Sequence, residues 1–428
     1  MSWAGNKLKP LTAGNGERII TPPLGVDLCG YGFYLDRKAE QVRDDLKARA
    51  LVLKNQDQAL VLASCDLIGF TVDFSDSVRQ AIGRQHNIPA NNVLLACTHT
   101  HSGPATQSLP GLGEVNESYL EKVKRAIEEA VGQAFDQMKD ADFVYAFEAV
   151  EPIGYNRRLK NFEGIDPMLK VAVFRQKSQK IYLLSYACHP AVLGPLKRVS
   201  ADWPGAVISR IEKKGHRAIF FQGFSGDIDP VSQWNRWGAG TDEDLKLYGQ
   251  WLSRRAFKAE KYAVEPSRNS LKAVETRMAI PLRIPTKKRI EIEAAEFAKT
   301  YAQFPGGPRF AEEWKKKAID VLPTFQSKPY LENVPIQAMA VGPLRFLGIP
   351  GEVFCGLGLK LQKKWPPLFP LGYANGSIGY IPTQRAFRDP ADYACTCAPK
   401  FYSLFPFTPE IEKILIRESD RLLACLKG

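Results

Sequence analysis

Several features that would classify this chain quickly are missing from it. No apolar run reaches the roughly 18 residues of a membrane-spanning helix, so we predict no transmembrane segment. The first residues, Met1–Pro10, lack the apolar stretch of a secretory signal, which predicts a cytoplasmic location unless a signal has been removed. The eight cysteines are scattered and form no CxxC pair, which argues against a zinc knuckle or a disulfide framework.

The chain has an excess of positive charge, but without a pattern that would make it informative. The net charge is +12, and such an excess can favour an anionic substrate or surface. The basic residues are spread along the chain, and no nucleic-acid-binding motif accompanies them. We interpret the charge as a solvated surface, expect a small-molecule or lipid-like substrate and predict no nucleic-acid partner, while the oligomeric state stays open.

Apolar residues are plentiful, and they alternate between strand-like runs and helix-like periods. They make up 45% of the 428 residues, which is enough for a large core. The alternation lacks strict βαβ regularity, which predicts an α/β fold with a mixed β-sheet core flanked by helices in one catalytic domain over residues 1–428. The predicted segments include strands at Val93–Cys97, Lys170–Arg175, Lys180–Ala187, Ala218–Gln222, Ile336–Val341 and Leu344–Gly348, and helices at Ser118–Lys139, Trp203–Lys214, Asp244–Val264, Lys287–Gln303, Val353–Lys364 and Thr408–Leu426.

Histidine is scarce, with five in the chain, and two of them lie close together. His99 and His101 follow directly on the predicted strand Val93–Cys97. Residues i and i+2 of an extended segment point to the same side, so both imidazoles can face one pocket at the end of the strand. The alternative is a pair of polar residues that cap the strand, but we favour a metal or catalytic site.

A titratable side chain also stands at the end of each of two further predicted strands. His189 follows Ile181–Ala187, and Glu352 follows Leu344–Gly348. Catalytic zinc uses about three protein ligands and keeps an open position, so histidines and one acid would complete a set. The alternatives are that His189 is a satisfied core histidine and that Glu352 is an acid at the N-terminus of the helix Val353–Lys364.

Acidic residues follow two more strands, as a weaker signal. Asp227 and Asp229 lie in a glycine-rich turn after Ala218–Gln222, and Asp66 follows another apolar run. Such turns can bring carboxylates to a ligand, although a plain turn explains them equally well. The remaining histidines, His86 and His216, lie in hydrophilic stretches and are not expected to be functional.

Read together, these segments resemble the catalytic domain of the neutral/alkaline non-lysosomal ceramidases. The most specific piece is Thr98-His-Thr-His-Ser-Gly-Pro104. The other matching pieces follow in chain order and are Tyr155-Asn-Arg157, Cys188-His-Pro190, Ser200-Ala-Asp-Trp-Pro-Gly205, Pro350-Gly-Glu352 and Asn375–Thr383 with its Gly379-Tyr-Ile-Pro-Thr383.

The resemblance implies a zinc-dependent amidohydrolase with one Zn²⁺ per chain. By match, the zinc ligands would be His99, His189, Glu352 and Tyr380. The residues that line the pocket and handle the carbonyl oxygen of the substrate would be His101, Arg157 and Tyr393, the last on a match whose surroundings differ.

Two departures from the family pattern bear on the reaction. The family's Gly-Asp-x-Ser-Pro segment, often credited with a nucleophilic serine, reads Gly226-Asp-Ile-Asp-Pro230 here, and Asp229 stands in place of that serine. A serine nucleophile is therefore excluded at this position, and Ser225 and Ser232 are out of register. We also expect no carboxy-terminal immunoglobulin-like domain. Both departures argue against assuming that ceramide is the substrate.

We therefore predict hydrolysis of an N-acyl amide by zinc-activated water. In this scheme zinc lowers the pKa of the water to about 7, His101 is general base and acid, and Arg157 stabilises the oxyanion. Asp229 would bind the substrate or orient a histidine. The alternatives are hydrolysis of an ester, lactone or glycoside of a small polar or anionic substrate, and a non-catalytic metal-binding relic. Iron or manganese would also suit the ligands.

Overall fold

The chain alternates between strands and helices throughout residues 10–304 and 306–427, which a computed structural model describes. The strands are β1 Thr12–Ile19, β2 Gln41–Val42, β3 Lys47–Lys54, β4 Ala59–Cys65, β5 Val93–Cys97, β6 Lys139–Asp140, β7 Asp142–Ala149, β8 Gly154–Asn156, β9 Met168–Arg175, β10 Lys180–Tyr186, β11 Arg198–Val199, β12 Arg217–Gln222, β13 Ile228–Pro230, β14 Leu271–Pro281, β15 Tyr330–Val341, β16 Leu344–Gly348, β17 Glu352–Val353, β18 Leu368–Leu371 and β19 Tyr380–Ile381. The helices are α1 Val72–His86, α2 Glu117–Asp136, α3 Asp202–Glu212, α4 Asp242–Glu260, α5 Lys287–Thr300, α6 Gly307–Ser327, α7 Cys355–Lys364, α8 Tyr393–Thr396, α9 Ala398–Phe401 and α10 Ile411–Cys425.

Most of the longer strands belong to three mixed sheets. The first sheet has the order β5-β4-β3-β1-β6, the second β12-β10-β9-β7, and the third β14-β15-β16-β18. Each contains one parallel pair, which is β4 with β5, β10 with β12, and β16 with β18. The other neighbours run antiparallel. The predicted α/β fold with a mixed β-sheet core is confirmed, and the strands are divided among separate sheets.

One apolar core joins the three sheets. Strands buried on both faces read as continuous apolar runs, and a large side chain gains about 1.5–3 kcal/mol when it is fully buried. The shared core therefore holds the sheets firmly relative to one another. Its members from the first, second and third sheets include Leu53, Leu62, Leu94, Phe174, Leu183, Ile219, Met339, Phe346 and Phe369.

The amphipathic helix α2 covers the outer face of the first sheet. Its apolar stripe is buried, and it approaches β1 closely because the strand carries glycines there. A Cβ atom on Gly14 would lie 1.9 Å from the carbonyl oxygen of Ala134, and one on Gly16 would lie 2.0 Å from that of Ala130. Any larger residue would push the helix off the sheet.

Two long elements, helix α6 and strand β14, were not predicted from the sequence. Helix α6 is hidden in the sequence by Gly306, Gly307 and Pro308 at its start and by Pro323 inside it. Strand β14 is partly exposed along most of its length, so its polar residues conceal the alternation. The predicted helix Val353–Lys364 begins at Cys355 instead, because its first residues form a short strand.

Other predictions concern the whole chain. None of the described helices has the length and apolarity that a bilayer span requires. The segment Met1–Pro10, on which the cytoplasmic prediction depends, lies outside the described residues up to Lys9, and the location stays a prediction. The single catalytic domain and the absence of an immunoglobulin-like domain stay predictions too.

Candidate metal centre and active site

The candidate site lies where one strand from each of the three sheets ends. His99 follows β5, His189 follows β10, and Glu352 follows β16. Each of these strands belongs to the parallel pair of its sheet. Ligand sites in α/β folds gather outside the carboxyl ends of parallel strands, where loops leave the sheet. The shared core brings these three ends together, and all three side chains are buried.

Backbone carbonyls fix the rings of two histidines. The Nδ1 atom of His99 lies 2.6 Å from the carbonyl oxygen of Ile68, and that of His189 lies 2.8 Å from the carbonyl oxygen of Ser225. A carbonyl oxygen can only accept, so each Nδ1 carries the hydrogen. The Nε2 atom of each neutral ring then presents a lone pair to the site, which is the usual arrangement of histidines that bind metals.

These lone pairs face a carboxylate with no donor between them. Oε2 of Glu352 lies 3.1 Å from Nε2 of His189 and 3.4 Å from Nε2 of His99. The other carboxylate oxygen, Oε1, accepts a hydrogen bond from the hydroxyl of Tyr402 at 2.7 Å. Acceptors at this separation repel one another unless a proton or a cation lies between them. These three acceptor atoms therefore require a positive charge between them.

The spacing fits a metal ion. Zinc binds nitrogen and oxygen at about 2.0–2.1 Å in a tetrahedron, which places its ligands about 3.4 Å apart. The separations around Glu352 match this spacing, and Nε2 of His101 lies 3.2 Å from Nε2 of His99. The ligand atoms of His99, His101 and His189 all lie within 4.8 Å of one another. The residues present therefore fit a small divalent cation.

Burial and charge act in opposite directions on these groups. Burial opposes the ionisation of Glu352, yet His99 and His189, which attract the carboxylate when a ring is protonated, hold the pKa of its carboxyl well below the usual range. Burial also lowers the pKa of His99. For His101, burial followed by the two neighbouring imidazoles holds the pKa well below its ordinary value. A neutral ring beside an ionised carboxylate is the state that binds a metal.

The backbone around His99 is strained, and its neighbours compensate. His99 has a φ of +68°, a conformation that residues other than glycine adopt rarely and that clusters at functional sites. Its amide donates to the carbonyl of Leu67 at 2.9 Å, and its ring stacks on Tyr373 with the ring centroids 3.9 Å apart. These contacts hold the imidazole in the orientation that the site requires.

His101 differs from the other two histidines in its surroundings. Its Nδ1 atom is buried, and no described residue forms a hydrogen bond with it. Its ring packs edge-on against Tyr31, and a Cβ atom on Gly30 would lie 2.6 Å from the ring. Ring orientation is thus set by packing, and the ring borders the open cavity. His101 therefore lacks the carbonyl partner that orients the other two rings, although its ligand atom lies in the same cluster.

Arg157 links the acidic turn to the tyrosine predicted as a ligand. Its guanidinium donates to Oδ1 of Asp229 at 3.2 Å and to the hydroxyl of Tyr380 at 2.8 Å. A third bond, at 2.8 Å, goes to the carbonyl of Gly226. Tyr380 pairs with Glu352 across the short parallel strands β17 and β19. The replaced serine position is therefore occupied by a carboxylate that orients an arginine.

A cavity of about 800 Å³ borders the site at His101. It is lined by His101, Arg157, Asp229, Tyr380 and Tyr393, which includes all the residues predicted to act on the substrate. Tyr393 stands apart, since it is 46% exposed and contacts the ring of Tyr380 edge-on with the centroids 5.7 Å apart. The cavity is large enough for a drug-sized or lipid-like molecule.

Comparisons with known proteins point to the same family as the motifs. Residues 12–188 match the family described as neutral/alkaline non-lysosomal ceramidase, N-terminal. The crystal structure of neutral ceramidase from Pseudomonas aeruginosa matches with a TM-score of 0.75 at 20% identity, covering 98% of this chain and 74% of that chain. The resemblance to the neutral ceramidases is confirmed. A structure described as ceramidase complexed with C2 matches with a TM-score of 0.74 at 18% identity, covering 98% and 75% of the two chains.

The family match covers only part of the candidate site. The family match includes His99, His101 and Arg157 and ends just before His189. At the identities found, the structural matches establish the fold. No curated protein matches the chain by sequence. The roles of the individual side chains therefore rest on the geometry of this chain.

The structure gathers the predicted residues and adds others that the sequence did not indicate. His86 and His216 lie elsewhere, on Phe135 and Tyr182 respectively. Glu352 lies in β17, ahead of helix α7, so the reading of Glu352 as a helix N-terminal acid is excluded. The additional residues are Gly30, Tyr31, Trp237, Tyr373, Arg385, Arg388 and Tyr402. Of these, only Gly30, one of the two glycines that flank Tyr31, could have been noticed in the sequence.

Proposed function

We propose that this chain is a zinc-dependent hydrolase of N-acyl amides. The observation that carries the proposal is the convergence of two unprotonated imidazole nitrogens and one carboxylate oxygen, 3.1 Å and 3.4 Å apart, with no donor between them. His99, His189 and Glu352 would hold the zinc ion, and Tyr380 is the candidate for a fourth ligand from the family resemblance. The confirmed likeness to neutral ceramidases supports an amide as the bond that is cleaved.

When bound, zinc supplies Lewis acidity and lowers the pKa of water to about 7. The other steps belong to side chains of the chain. His101 borders the cavity and would take the proton of the attacking water and return it to the leaving amine. Its neutral state, which burial favours, leaves a nitrogen able to accept that proton.

Arg157 would stabilise the negative charge that develops on the carbonyl oxygen of the amide. Its guanidinium is held by Asp229 and by the carbonyl of Gly226, so it need not reorganise when the charge forms. A single preorganised donor of this kind contributes about 3–4 kcal/mol to the transition state. Tyr393, at the mouth of the cavity, would contact the substrate rather than the reacting bond.

A substrate panel tests the proposal. The purified protein would be assayed on an N-decanoyl amide, a decanoyl ester, a lactone and a glycoside, before and after removal of metal with a chelator. We expect turnover of the amide that chelation abolishes and that one equivalent of zinc restores. Turnover of the ester, lactone or glycoside alone would replace the amide as the substrate class. Bound zinc without turnover of any of the four would indicate a metal-binding relic.

A further inference from the structure

The mouth of the cavity carries two cationic side chains that the proposed chemistry does not use. Among the residues that line the cavity, Arg157 pairs with Asp229, and Arg158 pairs with Asp392. Arg385 also lines the cavity. The guanidiniums and carboxylates on its wall are Arg157, Arg158, Arg385, Arg388, Asp229, Asp389 and Asp392.

Arg385 and Arg388 form a pair on one side of a single turn. Arg385 precedes the short 3₁₀ segment Ala386–Arg388, and side chains at i and i+3 of a 3₁₀ helix eclipse one another. Both are exposed, and neither has an ion pair or side-chain hydrogen bond within residues 10–304 and 306–427. Two guanidinium groups are therefore free at the mouth of the active-site cavity.

One carboxylate on the cavity wall, that of Asp389, has no ion pair among the described residues, and its single charge can offset only one of the two arginines. Asp389 follows Arg388 directly, but its Oδ1 accepts a hydrogen bond from the backbone amide of Ala391 at 2.9 Å. The carboxylate thus stabilises its own loop. Two guanidiniums and one carboxylate leave this part of the mouth with a net positive charge.

Another part of the cavity wall is apolar. Phe33 packs against Tyr301 and Phe401 with ring centroids 5.4 Å and 5.9 Å apart, and Leu112 also lines this wall. Such a surface fits an alkyl chain. A guanidinium fork, in contrast, binds carboxylate, sulfonate or phosphate oxygens in pairs. The cavity therefore presents one surface for an apolar group and one for an anionic group.

We propose that the substrate is an amphipathic amide with an acyl chain at one end and an anionic group at the other, and that Arg385 and Arg388 bind the anionic group. This inference rests on the proposed function of the site. Hydrolysis of an N-acyl amide adds water across the C–N bond and releases a carboxylate and an amine, which is protonated at neutral pH. A neutral headgroup would leave a cation beside the free guanidiniums, whereas an anionic headgroup leaves a zwitterion that they tolerate.

The test compares two substrates that differ in charge. N-Decanoylglycine and N-decanoylethanolamine would be assayed with the zinc-loaded wild type and with the double variant Arg385→Gln/Arg388→Gln. We expect the wild type to prefer the anionic amide, and the ratio of kcat/KM values to fall by about tenfold or more in the variant, since charged hydrogen bonds are lost. A matched control, Lys213→Gln/Lys214→Gln, removes the same charge at exposed positions away from the cavity and should keep the ratio.

A binding measurement separates this inference from the proposed function. The sulfonamide analogues of the same two amides resist hydrolysis, and their affinities can be compared by calorimetry. If neither amide is hydrolysed, the proposed function fails, while tighter binding of the anionic analogue that the double variant loses still supports the arginine site. Equal affinities in the wild type would overturn the inference. It would also be overturned if the double variant kept its substrate preference but lost binding to anionic lipid vesicles, because the arginines would then contact a membrane.

Discussion

The candidate metal centre, here called the floor, and the mouth of the adjoining cavity are built in different ways. The floor consists of His99, His189 and Glu352, each of which is buried and follows a strand of a different sheet. The mouth consists of residues 385–402, where short turns and the four-residue helices α8 and α9 carry exposed side chains such as those of Arg385 and Tyr393. The floor is thus positioned by the common core, and the mouth by local loop geometry.

This difference separates chemistry from selectivity. Strand ends that share one core cannot move independently, so the proposed metal ligands keep their spacing. Side chains on short exposed turns tolerate substitution and are where binding specificity commonly resides. We therefore expect changes in the floor to abolish the reaction, and changes in the mouth to alter which amide is cleaved.

His101 lies at the border between the two regions, and its substitution should have a large effect on the reaction. In His101→Gln we expect kcat to fall by about 10²–10⁴-fold, because general acid and base catalysis is lost. The zinc content should stay at the wild-type level, since the ring lacks the carbonyl partner that fixes the other two histidines. Activity assays together with elemental analysis would check this. Loss of zinc would instead indicate that His101 is a zinc ligand.

Arg157 lines the cavity and donates to Tyr380, which pairs with Glu352 across β17 and β19. Arg157→Lys keeps a positive charge but loses the fork that reaches both Asp229 and Tyr380. We expect kcat to fall by about 100-fold or more with KM changed less, because an oxyanion donor is lost. Arg255→Lys, in an ion-pair cluster with Glu148, is the control for the substitution itself. A change in KM alone would assign Arg157 to substrate binding in the mouth.

Tyr402 lies within the mouth segment 385–402, yet its side chain contacts Glu352 of the floor. Its hydroxyl donates to Oε1 of Glu352, so Tyr402→Phe removes a partner that orients a ligand. We expect the affinity for zinc to fall by about 10–100-fold, measured by competition with a chelating dye. Tyr119→Phe, which loses a buried hydroxyl bonded to Ile20, should leave zinc affinity unchanged. Equal affinities in both variants would show that the two regions are independent.

A smaller effect is expected on the pH dependence of the free energy of unfolding, through the buried carboxyl of Asp202. Burial raises the pKa of Asp202 from 3.8 to about 6, so the folded protein holds this proton more tightly than the unfolded chain. The associated stability is complete at low pH and is lost as the pH rises to about 6, a change of about 3 kcal/mol. Asp202→Asn should not show this loss. Urea unfolding of both proteins between about pH 4 and pH 7 would check it, and parallel curves would contradict it.

The sequence predicted the floor much better than the mouth. Val93–Cys97 and Leu344–Gly348 are strands with the predicted bounds, because fully buried strands leave continuous apolar runs. A histidine that comes within two residues of the end of such a run, as His99 does, is easily recognised in the sequence. The geometry between sheets could not be predicted, since contacts between Glu352 and His189 span a large separation in sequence.

The mouth gave few signals because its elements are short. Tyr402 lies in a tyrosine- and phenylalanine-rich stretch that resembles ordinary core, and nothing in the sequence links it to Glu352. Arg385 and Arg388 are two among 58 basic residues, and only the turn that aligns them distinguishes the pair. Tyr393 was reached through the family resemblance alone.

Zinc stoichiometry decides whether His99 and His189 belong to a metal site. Elemental analysis would be made on protein purified without added metal, for the wild type, His99→Ala, His189→Ala and the control His86→Ala, whose ring stacks on Phe135 away from the site. We predict about one zinc per chain in the wild type and in the control, and none in the other two variants. A wild type without metal, or a His189→Ala protein that keeps a full equivalent of zinc, would show that these histidines do not hold a zinc ion.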